Sequence, residues 1–580
     1  MADQEPKLRQ ELYGWQIFMI TISAVIGVTI FYIDGEALEV AGPGGTLMAF
    51  VIIGIVAICV NEGISEMIQC FPAPNALMEY VKAFVDPDLA WVVGIMYWYT
   101  YAAIFAIQII AAASFSAYWN LAQVYQTVAF YGLAPVVILF INFAGVWYFG
   151  WIETVGGFLK ICMVVGSGIF MYVVHSQDGV GSEYINDGFK NDADLASNHK
   201  IAAVYVIPMI AYGFLAIEMI AITAFEARDI RSLRRPSQIM AYFVIGIYLF
   251  CVIGELLNVS WTNQALPDIY GGSSKDIVTT NHVHFRSRAI IIIAAIRGGY
   301  THMPGFLNGC LIFAALSAAN TSLYIASRAL YGMTRAINPW KWFGWLKLLG
   351  TVWHKSGVPM WALVASALSF GWLPFLQLKG GYAIADLLEI MSISASVSCL
   401  LVWASQCLAY IRYHAWLKKH RTELATAYPE YNRWASTWQA STFLAGLQPL
   451  PAWIGLITCL VIVFPFTTAT WWSTEPTFTK IAVAYGSPIV SLAFFLILKL
   501  ITRRWYVELD NDSAVLFAAL ERLRYVKPMR RPASESKRRL FRFWNRKSER
   551  AYPDADRNGV LNAAPINQDI ELAQRQGERI

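Results

Sequence analysis

Charge is what this chain is short of. Asp, Glu, Lys and Arg together make up 14% of its 580 residues, against 57% hydrophobic residues and a mean hydropathy of +0.47. That balance excludes a soluble globular chain of this length. Cysteine spacing is also missing. The eight cysteines (Cys59, Cys70, Cys162, Cys251, Cys310, Cys399, Cys407, Cys459) fall in or beside apolar stretches, so they form neither a disulfide framework nor a metal motif and read as packing residues. The opening MADQEPKLRQELYGW lacks a small-residue cleavage site, and no removable signal peptide is expected. The polar loops contain no Walker loop, zinc motif or nucleophile elbow, which argues against an enzyme, a cofactor or nucleic-acid binding. His282-Val283-His284 has the spacing of two metal ligands but no third, and reads as solvated loop.

What is present in quantity is apolar sequence in long runs. These lie near 16–33, 45–66, 90–118, 128–147, 153–175, 201–225, 238–257, 289–327, 358–376, 382–411, 451–471 and 480–501. Most are long enough for a helix to cross a hydrocarbon core of about 30 Å. The reading is an all-α polytopic membrane protein of twelve transmembrane helices. Lys and Arg gather in alternate loops, at Lys82, Arg228 to Arg235, Arg328 to Lys355 and Arg412 to Arg433, which places both termini in the cytoplasm, with the plasma membrane as the expected location. The chain then divides into a short N-terminus, 1–15, a twelve-helix domain, 16–502, and a basic, largely disordered tail, 503–580. The tail stretch YVKPMRRPASESKRRLFRFWNRK suits either solvent or anionic membrane lipids. Asn258-Val259-Ser260 is a glycosylation sequon at the edge of a long outer loop.

Charges within the spans cost about 3 kcal/mol or more each near the bilayer centre, so each needs a partner or a task. Glu62, Glu66, Lys160, Glu218 and Glu389 stand out. The first span adds a different anomaly. Its centre reads SAVIGVTIF, with Ser23, Gly27 and Thr29 where Leu or Ile would serve a plain lipid-facing helix. Such residues either admit a neighbouring helix or mark a helix that opens toward a ligand.

Several motifs in order decide between these. SAVIGVTIF, YIDGEALEVAGPGG, EMIQCFPAPNALMEYVKAFVDP and VVGIMYWY resemble the first three spans of the amino acid-polyamine-organocation superfamily, most of all its fungal amino acid permeases. YGFLAIE at 212–218, LSAANTSLYIASRALYGM at 316–333, Trp403 and Arg412 resemble its sixth, eighth and tenth spans. The resemblance covers roughly 12–505. It implies a LeuT-type five-plus-five inverted repeat with broken helices 1 and 6 and two extra C-terminal helices. It further implies a substrate site at Ser23, Ile26, Gly27, Val28, Thr29, Gln108, Tyr212, Gly213, Phe214 and Glu218. Lys160 and Glu218 are the implied proton-coupling residues. Span one has Gly27-Val28-Thr29 where the family has Gly, Thr or Ser, then Gly, and Ala216 stands where it has Gly. Gln108 occupies a position where many fungal relatives carry Glu, which disfavours a cationic substrate. The function implied is secondary active, proton-coupled uptake of an amino acid or derivative. A non-transporting nutrient sensor on the same fold, and a carrier of amines, choline or a secondary-metabolite precursor, are the alternatives. The short N-terminus favours transport over the sensor.

Overall fold

The computed structural model describes residues 8–525, apart from 28, 120, 179–182, 194, 264, 268–288, 336, 338–343, 380–381, 436–437, 439–441, 473–477, 504–505 and 508–512. Val28, the pair His282 and His284, and the tail from 526 onward therefore lie outside the described residues, and for Thr29 and Glu389 only the backbone is described. Among the described residues the regular structure is helical, save one isolated bridge between Leu12 and Ala227. Helix is the natural outcome for apolar runs in lipid, where backbone polar groups find partners only within their own segment. Among the described residues ten helices are long and apolar enough to cross a membrane, and Gly14–Val25 and Met360–Leu376 are shorter apolar helices.

Three interruptions shape the bundle. The first helix stops at Val25 and the next starts at Thr29, so span one is opened at Ile26 and Gly27. The restarted helix runs to Cys70 through a kink at Gly42, whose φ of 68° is left-handed, followed by Pro43. The carbonyls freed at the kink are taken up by the loop after span five: Lys190 N donates to Ala41 O at 3.1 Å and Asp192 N to Val40 O at 3.0 Å. Gly44 is close enough to Gly188 that a Cβ there would lie 2.8 Å from the Gly188 carbonyl carbon.

The second interruption corrects the span expected at 289–327. The structure holds two helices there, Ile290–Arg297 and Met303–Thr334. Gly298 N closes on Ala294 O at 2.9 Å, Tyr300 N on Ala295 O at 3.2 Å, and Gly299 has φ +76°, a glycine-dependent helix stop. Pro304 then sits in the first turn of the next helix.

The third is in span six. His199–Ala211 passes into a 3-10 turn, Tyr212–Phe214, then Leu215 is extended, Ala216 has φ +77°, and a short helix resumes at Met219–Thr223. Span six is wholly buried in its apolar window, whereas Gln123–Phe143 and Ala484–Thr502 are 11% buried. The interrupted span is therefore central, and spans four and twelve present apolar side chains outward. Span three, Pro87–Ser116, packs between Met303–Thr334 and span ten, Tyr382–Lys419; span seven, Arg234–Asn258, packs on the helix Thr29–Cys70 and on span five, Val146–Asp178.

Candidate functional site

The two breaks are held together by one side chain. Tyr248, fully buried on span seven, places its hydroxyl 3.0 Å from both Val25 O and Gly213 O. These carbonyls belong to residues at the two interruptions, where the regular i to i−4 ladder fails. A single O–H serves two acceptors, so each carbonyl keeps capacity for a further donor. Phe214 packs on the Tyr248 ring at 5.2 Å between centroids and on Phe50 at 6.0 Å. Phe214 thus belongs to the aromatic cluster that buttresses the breaks from the side of spans two and seven.

Span three closes the opposite side. A Cβ built on Gly27 would stand 2.9 Å from Gln108 Nε2 and 3.6 Å from Ala318 Cβ. Glycine is what lets Gln108 lie against the break. Gln108 also faces Tyr212, which is 7% exposed. Yet Gln108 Oε1 and Tyr212 OH are buried with no well-formed hydrogen bond. Unsatisfied buried groups cost about 1–3 kcal/mol each, and two of them beside opened backbone form a place where a polar ligand is favoured. Gly27, Gln108, Tyr212 and Gly213 are thus brought together, with Ile26 in the same backbone opening and buried.

Glu218 has a different setting. Its carboxylate accepts from the Tyr101 hydroxyl on span three and from Trp403 Nε1 on span ten at 2.9 Å, with Cys399 Sγ at 3.8 Å. Tyr101 precedes Gln108 by seven residues, so both lie on one face of span three. Glu218 anchors the far end of the span-six break to spans three and ten.

Ser23 and Lys160 form a third group, on the first half of span one. Lys160 Nζ donates to Ser23 O at 2.6 Å and is fully buried. That carbonyl lies in the last turn of Gly14–Val25, where the helix end carries partial negative charge. Ser23 Oγ donates to Glu153 Oε2 at 2.5 Å; Ser317 Oγ donates to the same oxygen at 3.0 Å; Asn320 Nδ2 donates to Glu153 Oε1 at 2.5 Å, and Asn142 Nδ2 to Asn320 Oδ1 at 2.7 Å. Glu153 is 1% exposed. In the sequence Glu153 stands at the first position of the apolar run 153–175 and reads as a span end, whereas the helix begins at Val146. Its signal was the seven-residue spacing to Lys160, two turns along one face. Tyr248 left no signal in a chain where aromatics make up 14%.

Two further residues resolve differently from their sequence appearance. Asn258 is 3% exposed, and its Nδ2, the atom a glycan would occupy, donates to Met171 O at 2.8 Å and to Gly254 O at 2.7 Å. One hydrogen ties span seven to Met171 of span five and the other returns to Gly254 of its own helix, so the side chain expected to carry a glycan is packed here as an anchor between the two spans. Glu66 pairs with Arg433 at 2.9 Å, and Glu62 accepts from Tyr242 OH at 3.1 Å and Leu444 N at 2.8 Å.

Known proteins resemble this chain in sequence and in fold. The chain is similar to the tryptophan permease of Saccharomyces cerevisiae, 27% identical over 87% of this chain and 81% of that one. It is also similar to the general amino-acid permease GAP2 of Candida albicans, 26% identical over 87% and 81%, and to the lysine/arginine permease CAN1 of the same species, 24% identical over 80% and 75%. A manganese transporter of Eremococcus coleocola superposes with a TM-score of 0.51 at 10% identity, over 91% of this chain and 99% of that one, a likeness of fold alone. The model of the amino acid permease family matches residues 16–511. The chain therefore belongs to the amino acid permease family and is a multi-pass membrane protein that carries amino acids across the membrane.

Proposed function

We propose that this permease takes up a neutral amino acid or close derivative together with a proton, by alternating access about the two breaks. The observation that supports the substrate class is the pair of buried, unsatisfied groups at the junction, Gln108 Oε1 and Tyr212 OH. Both are uncharged, and no carboxylate stands at position 108 to neutralise a cationic side chain. The amides that open the helix at Thr29 favour a carboxylate, and the carbonyls of Val25 and Gly213 favour an ammonium. Backbone at Ile26, Gly27 and Thr29 and side chains at Gln108 and Tyr212 form the proposed contact set. Ser23 and Glu218 hold its edges, and Phe214 holds it in shape.

Proton coupling is assigned to Lys160. A charged ammonium bound to Ser23 O grips the end of the first half-helix, and loss of the proton weakens that grip. Glu153 and its three donors hold the other side of Ser23, so protonation at Lys160 and the position of the half-helix are linked. The arginine-rich ends near Arg228 to Arg235 orient the chain with both termini in the cytoplasm of a plasma-membrane protein, and the basic stretch of the tail has the composition to attract anionic inner-leaflet lipids.

The test is competition for uptake in cells lacking their own permeases. Neutral amino acids are expected to compete with labelled substrate, while lysine, arginine, polyamines and choline compete weakly. Strong inhibition by choline or a polyamine with none by any amino acid contradicts the assignment.

A further inference from the structure

On the other side of the breaks from Lys160, two acids are buried against one another. Asp34 follows the restart of span one by five residues, and Glu255 follows Tyr248 by seven on span seven. Asp34 is 1% exposed and Glu255 is fully buried. Their side chains lie within hydrogen-bond reach of each other. Asp34 Oδ1 accepts from Gly35 N at 2.9 Å, and Glu255 Oε1 accepts from Cys251 Sγ at 3.3 Å. Among the described residues none donates a hydrogen to Asp34 Oδ2 or Glu255 Oε2. Two carboxylates are acceptors only. Buried face to face without a donor they repel, and a single proton between them turns the repulsion into a hydrogen bond.

The surroundings supply no substitute for that proton. Neither acid forms an ion pair with a described residue. On span seven the titratable neighbour is Cys251, and behind it on span five stand Ser167, 3.8 Å from the Cys251 sulfur, and Tyr172. Glu36 and Glu39 share the helix of Asp34 and add no cation, and His175 lies farther along span five. Among the described cations toward the same end, His199 and Lys200 at the start of span six are exposed, and two others are engaged elsewhere. Arg297 of the short helix Ile290–Arg297 donates to Asn258 O at 2.7 Å and lies 4.7 Å from the Tyr184 ring, and Lys190 pairs with Asp187 at 3.5 Å.

We propose that Asp34 and Glu255 form a proton-binding site, in which one proton shared between the two carboxyl groups fastens the second half of span one to span seven. The shared proton closes the pair, and its departure separates the half-helix from span seven by charge repulsion. With the orientation proposed above, the pair faces the outer side and Lys160 the inner, so the two proton sites flank the substrate position. This extends the reading of proton-coupled uptake, and its first test does not depend on that reading.

The experiment compares purified full-length protein, wild type against D34N and E255Q, by infrared difference spectroscopy of the protonated-carboxyl C=O stretch through a pH titration. The wild type is expected to show one protonated carboxyl that both single variants lose, because an amide donates to a carboxylate without a proton. A band unchanged in both variants overturns the proposal. The double variant D34N/E255Q keeps the shape and the mutual hydrogen bond and serves where a single variant folds poorly; it too must lose the band. In reconstituted vesicles, each variant is expected to lose at least a several-fold part of the dependence of uptake on external pH. Sodium stimulation of the wild type that disappears in the variants, with the infrared band unmoved, assigns the pair to a metal cation and likewise overturns the proposal.

Discussion

At the scale of single residues, two positions decide more than their size suggests. Ala216 adopts φ +77°, a conformation that costs a non-glycine residue about 1–2 kcal/mol. Ala216→Gly relieves that cost, but loses about 0.8 kcal/mol of methyl burial and about 0.5–1 kcal/mol to backbone entropy. The terms nearly cancel, so the glycine variant is expected to match the wild type within about 1 kcal/mol in thermal unfolding, whereas Ala216→Val, β-branched at positive φ, loses most folded protein. Equal stability of the valine variant contradicts the backbone assignment. Gln108 is the second position. Gln108→Glu puts a carboxyl beside Gly27 and Tyr212, where a charge acts through low dielectric. Burial favours its neutral form, so the gain for lysine over a neutral amino acid is expected to appear as pH rises and the carboxyl ionises. A lysine-to-neutral uptake ratio that stays fixed at two pH values removes Gln108 from the substrate.

At the scale of elements, the breaks in spans one and six and the side chains that pin them are different kinds of information. The resemblance carried by SAVIGVTIF and YGFLAIE implies the openings, whereas the residues themselves allow them without requiring them, because a small residue serves close packing as well as an opened helix. The pins come from distant elements. Tyr248, Tyr101 and Glu153 are set by how spans seven, three and five pack, and composition does not distinguish a pinning tyrosine from a packing one. The split at Gly298-Gly299 has a local cause, since paired glycines before a proline stop a helix, but the run of isoleucines before it reads as continuous apolar sequence and hides it. Gly27→Leu tests the element directly. The new side chain is expected to displace Gln108 and cut substrate affinity at least tenfold at normal surface expression; unchanged affinity in well-expressed protein returns span one to ordinary packing. A second element test lies where span six meets span eight. Arg328 Nε pairs with Glu226 at 3.1 Å, both nearly buried, and Tyr324 donates to the same carboxylate. Removing one partner of a buried pair costs about 3–5 kcal/mol, so Arg328→Gln is expected to destabilise the closed end near Leu12 and Ala227 and raise the accessibility of a cysteine introduced at position 227. Wild-type labelling at that position contradicts a latch.

At the scale of the whole molecule, three groups of buried polar residues lie on or against span one within an apolar bundle: Asp34 with Glu255, the junction of Gly27, Gln108 and Tyr212, and Lys160 with Glu153. Each would be costly in a lipid-facing helix and each sits on or against a broken span, which is where alternating access requires a change of partners. The central claim is that proton movement at Lys160 drives accumulation at the junction. Its most direct test is uptake of labelled substrate by proteoliposomes under an imposed inward proton gradient, wild type beside Lys160→Ala. The wild type is expected to accumulate substrate above equilibrium and to lose that accumulation when the gradient is collapsed, while Lys160→Ala equilibrates and exchanges substrate without accumulating it. Gradient-driven accumulation by Lys160→Ala equal to that of the wild type would contradict the account.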